Sequence, residues 1–99
     1  MTTTDHRAAA EERIHTLIST LQSQPATEFR DALITECTAL AVAIHAFHME
    51  GIRFRMFNVD RIITRGQVAL PPEAVAAFAD ARRNLEAAGF HTRSHQAPT

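Results

Sequence analysis

The chain is expected to fold as an α+β domain: a two-helix hairpin, a small antiparallel sheet of two or three strands, and a C-terminal helix. Three observations predict this. Apolar residues recur at helical spacing through the first half. The period then changes to two at Ile52, where Ile52, Phe54 and Met56 alternate with Arg53 and Arg55. After Pro71-Pro72 helical spacing returns. The alternative is an all-α bundle in which Ile52 to Arg65 forms a third amphipathic helix.

The first helix is expected from about Asp5 to Gln22. Ala10, Ile14, Leu17, Ile18 and Leu21 form its apolar stripe. Thr3 or Thr4 can cap its start, and Asp5, Glu11 and Glu12 suit the positive end of the helix dipole. Ser23-Gln24-Pro25 breaks it.

The second helix is expected from Pro25 or Thr27 to Glu50. Phe29, Leu33, Cys37, Leu40, Ile44 and Phe47 lie along one side, widened by Ile34, Ala41 and His48. From Ala39 onward, Val42, Ala43 and Ala46 make the opposite side apolar too. A helix apolar all round is usually buried. One helix and a small sheet cover only part of it, so the other side is expected to meet a second copy at Val42, Ala46 and Met49. Gly51 supplies the expected stop.

Strands are then expected at Ile52–Phe57, Arg61–Thr64 and Gln67–Leu70, with Asn58-Val59-Asp60 and Arg65-Gly66 as turns. The last helix opens at Pro71-Pro72, with Val75, Phe78, Arg82 and Leu85 on one side, and stops at Gly89 and Phe90. Residues 1–90 make one compact domain, and 91–99, polar with a Pro, a flexible tail.

The totals narrow the function. No unbroken apolar run exceeds the six residues of Ala39 to Ile44, far short of the roughly 20 a membrane span needs. No secretory signal is legible at the start, so a cytoplasmic protein without membrane contact is expected. Cys37 is the single cysteine, which excludes an internal disulfide and a multi-cysteine zinc site. Trp and Tyr are absent, leaving six Phe as all the aromatic packing, and every basic residue is Arg. The Arg and Ala bias points to a GC-rich coding sequence.

The net charge of −1 hides a partition. Residues 1–50 hold three Arg against seven acids, and residues 51–66 hold four Arg against Asp60. These Arg either pair with Glu28, Asp31, Glu36 or Glu50, or form a ligand surface. As a ligand surface, Arg53, Arg55, Arg61 and Arg65 would grip an acidic protein segment or a phosphorylated ligand. Nucleic acid is less favoured, because the chain as a whole is acidic.

His45 and His48, three apart on one expected helix, form half of a metal site, and a symmetric dimer would double it. The rival reading makes His48 a hydrogen-bonded core residue. Haem ligation by His48 and a tail site at His91 and His95 are weaker readings. No resident cofactor is expected beyond that transition metal. The chain shows no glycine-rich phosphate loop and no nucleophile elbow, and Cys37 has no base one helical turn away. Catalysis is therefore not expected. If there is an enzyme here, His48 would be its base, with Cys37 or Glu50 nearby. The leading expectation is a small homodimeric binding or regulatory module that acts through protein contacts.

Overall fold

The computed structural model describes residues 5–66 and 70–89. They form an all-helical bundle in the order α1 (His6–Gln22), α2 (Glu28–Ala46), α3 (Met49–Arg65) and α4 (Pro72–Ala87). No strand occurs among the described residues. The expected α+β class with its sheet is therefore corrected to the all-α alternative. Gln67 to Ala69 of the third expected strand, and the tail 91–99, lie outside the described residues.

The correction has a physical cause. Residues Ile52 to Phe57 satisfy a period of two, but Ile52, Met56, Val59 and Ile63 also satisfy spacings of four, three and four. The longer pattern governs. Ile52, Met56 and Val59 are fully buried and Ile62 and Ile63 pack beside them. A six-residue window sees less than two helical turns, so the two periods look alike within it. The Asn58-Val59-Asp60 turn is likewise corrected: these residues lie in the middle of α3.

The hairpin of α1 and α2 is as expected, with shifted ends. Asp5 itself caps α1, its carboxylate accepting from the Ala8 N–H at 3.0 Å. Thr27 caps α2 by accepting from the Arg30 N–H at 3.0 Å. α2 stops at Ala46 rather than Glu50. Phe47 adopts a left-handed conformation (φ 51°), the His48 N–H donates to the Ala43 carbonyl, and the Phe47 N–H donates to that of Ile44. This is the helix-stop geometry in which glycine is usual. A phenylalanine there carries a cost of about 1–2 kcal/mol. Gly51, expected as the stop, sits instead in the first turn of α3.

The packing runs α4 on α1, α1 on α2, and α2 on α3. An ion pair from Arg82 to Asp60, 3.5 Å, joins α4 to α3. One continuous core fills the middle: Ile14, Leu17 and Leu21 from α1, Leu33, Leu40 and Ile44 from α2, Ile52 and Met56 from α3, Phe78 and Leu85 from α4. On α4, Ala74, Ala77 and Ala81 are buried as well, and these small side chains let the helix lie close to its neighbours. Val75, expected on the inner side, faces solvent. No described helix is long and apolar enough to cross a membrane.

Candidate functional site

The α2–α3 corner separates the two histidines expected to work as a pair. His45 ends α2. His48 is the N-cap of α3, and its Nδ1 accepts from the Gly51 N–H at 2.9 Å. A Cβ on Gly51 would lie 2.8 Å from that Nδ1 and 3.3 Å from Ala43 Cβ, so a close approach explains the glycine. His48 is therefore neither a core residue nor a half of a helical pair.

His45 turns toward α1. Its Nδ1 donates to Glu11 Oε1 at 3.2 Å, while His15 Nε2 stands 3.5 Å from Glu11 Oε2. Arg7 reaches the same carboxylate at 3.8 Å and donates to the His45 carbonyl at 3.2 Å. This cluster closes one end of an open groove of about 320 Å³ between α1 and α2. Ile18, Ala41, Val42 and Ala46 form its apolar wall. Two of the residues expected to meet a second copy, Val42 (65% exposed) and Ala46, thus line a groove beside α1. Met49, also exposed, opens α3. Among the described residues no group of three or more His, Cys, Asp or Glu has a metal-holding arrangement.

The four arginines share α3 but not one surface. At about 100° per residue, Arg53 and Arg55 leave the helix on roughly opposite sides. The strand reading had put them on the same side. Arg55 is half-buried and donates to Glu36 Oε1 at 3.0 Å, where Asn58 Nδ2 also donates at 3.3 Å. Asn58 is the one buried polar side chain of the described core. Its place in this α2–α3 node escaped the sequence reading, because an Asn followed by Val-Asp resembles a turn. Cys37 lies next to Glu36 on α2 and is fully buried. Burial, and secondarily the Glu36 charge, push its thiol up to about 12. A neutral, enclosed thiol is the wrong form for a nucleophile.

Arg53, Arg61 and Arg65 are exposed. Arg65 occupies the last turn of α3, where a cation complements the carbonyl end. The Arg61 guanidinium sits 5.4 Å above the Phe57 ring, and that of Arg55 5.0 Å from Phe54. Among the described residues, neither Arg61 nor Arg65 has a carboxylate partner.

Phe54 and Phe57 are the unexpected part of α3. They are 56% and 40% exposed and stand on the face directly opposite Ile52 and Met56. Glu50 and Arg61 continue that face above and below, so Glu50, Phe54, Phe57 and Arg61 make one outward stripe with spacings of four, three and four. The signal was present in the sequence, but the strand reading assigned Phe54 to the buried side. α3 is also the only described helix in which Arg outnumbers acids.

Set against models of protein families, curated proteins and solved structures, the chain matches none of them.

Proposed function

We propose that this chain is a small helical module that works by binding protein, with the outward face of α3 as its contact surface. The observation that carries the reading is the exposure of Phe54 and Phe57 at the centre of that face. Two aromatic rings left in water on a helix that already buries a full apolar stripe are costly, and a partner would recover the lost burial. Aromatic and arginine side chains are also the usual anchors of protein interfaces. Arg61, held above Phe57, supplies such a pair.

Site-specific photocrosslinking tests the reading. A crosslinker at position 57 is expected to form protein adducts, and one at position 75, on the outward side of α4, is not. Equal adducts at both positions, or none at either, would remove it.

A second reading rests on the groove between α1 and α2. Its apolar wall and its polar end at Glu11 suit a small apolar molecule carrying one polar group. An ordered-ligand screen by thermal shift, repeated on Val42→Trp to fill the groove, separates it from the first. The anionic-ligand reading loses one of its four cations, because Arg55 is committed to Glu36.

A further inference from the structure

The outward stripe of α3 reads the same in both directions. Glu50, Phe54, Phe57 and Arg61 are spaced symmetrically about a point level with residues 55 and 56. Turn a second α3 end for end and lay it against the first. Phe54 then meets Phe57 of the second copy, and Phe57 meets its Phe54. Glu50 meets Arg61 of the second copy, and Arg61 meets its Glu50. The spacing of four, three and four keeps all four residues on one seam, as in an antiparallel helix pair.

We infer that the partner seated on this face is a second copy of the chain, paired through α3 and α3 in antiparallel register about a two-fold axis near residues 55 and 56. The inference rests on the reading of α3 as the contact surface. A two-fold interface needs a patch that complements itself, and this one does in spacing, apolarity and charge. Parallel alignment would set Arg61 against Arg61 and Glu50 against Glu50. The antiparallel one pairs opposite charges at both ends and opposes the two helix dipoles favourably. Arg61 is pre-placed for this, since it leans on Phe57 and has no carboxylate partner among the described residues. Glu50 is the one acid on the stripe, and it sits where the seam needs it. α3 has 17 residues, about 25 Å of helix, so a single pair falls at the small end of specific interfaces. A dimer that dissociates in the micromolar range follows.

Sedimentation equilibrium across the micromolar range, on the full chain, reads the dimer directly. Glu50→Arg or Arg61→Glu alone places like charges together and should weaken association by about tenfold or more. The double variant Glu50→Arg, Arg61→Glu should restore it. Both positions face solvent, and far-UV circular dichroism checks that the helices persist. A second measurement fixes the register. Phe54→Cys mixed with Phe57→Cys should give the mixed disulfide in preference to either same-site disulfide, while the buried Cys37 thiol stays out of the exchange. A wild-type chain that remains monomeric overturns the inference. So do charge variants without effect, a double variant that fails to recover, or equal yields of all disulfides. If the chain is monomeric while the crosslinker at position 57 captures a different protein, self-pairing falls and the reading of α3 stands. If that crosslinker captures nothing, both fall.

Discussion

Helices α3 and α4 are nearly equal in length, 17 and 16 residues, and each gives one face to the bundle. Their outward faces differ. α4 turns Glu73, Ala76, Arg83 and Glu86 to water, with Val75 as its single large apolar side chain. α3 turns out Phe54 and Phe57, one turn apart, with arginine beside each. The same chain thus finishes one edge helix as a solvated surface and leaves the other unfinished. An apolar composition cannot account for this, because α4 draws on the same residues and keeps its one aromatic, Phe78, buried. The contrast is why α3, and not α4, is proposed as the contact surface.

The contrast breaks first if inner and outer positions of α3 respond alike. Met56→Ala should cost about 2–5 kcal/mol in urea unfolding, since Met56 is fully enclosed. Its neighbour Phe57→Ala should change monomer stability by no more than about 0.5 kcal/mol. Both are measured at concentrations too low for association.

The inner side of the α2–α3 pair has an alkaline signature. The chain lacks Tyr and its basic residues are all Arg. Cys37 is then the one side chain that titrates between about pH 9 and pH 12. In the unfolded chain its thiol ionises near 9.0, while the folded core holds it protonated to about 12. The unfolded state therefore loses the proton first, and stability falls as pH rises through that window. The slope is at most about 1.4 kcal/mol per pH unit. Urea midpoints from pH 8 upward should fall for the wild type and stay flat for Cys37→Ala.

Asn58→Ala removes a donor from Glu36 inside the same contact. A loss of about 1–3 kcal/mol is expected, read by the same unfolding series. At the corner, Phe47→Gly should stabilise the monomer by about 1 kcal/mol, because glycine occupies φ 51° without strain. Helix α4 is followed by the ordinary solution, Gly89 at φ 94°. Smallest of all, Val75→Ser on the outward face of α4 should leave melting temperature and association unchanged. An effect on association there would put the contact surface on the wrong helix.

The helical half of the sequence was readable because its apolar residues repeat over several turns. Ile14, Leu17 and Leu21, then Leu33, Cys37, Leu40 and Ile44, have a single helical interpretation. At Ile52 to Phe57 two periods coincided, and the arginines between apolar residues tipped the reading to a strand. That error carried the site with it. It set Arg53 beside Arg55, hid Phe54 in a core and turned Asn58 into a loop residue. The histidines failed for a different reason. Nothing local shows that Phe47 will take the left-handed conformation, since phenylalanine rarely does. Without that break, His45 and His48 fall on one helix. The cluster of His15, Glu11 and His45 joins residues more than thirty positions apart, which only the packing of α1 on α2 brings together.

The α2–α3 pair carries at each end a glycine against which a neighbouring ring is packed. At one end Gly51 leaves space for the His48 ring. At the other, a Cβ on Gly66 would overlap the ring of Phe29, which lies flush on the backbone there. A library randomised at both positions and selected for folding should therefore be enriched in glycine at 66 and at 51. The intervening outward positions 54 and 57 should accept almost any residue, so the library would sort the helix into what folding demands and what binding demands.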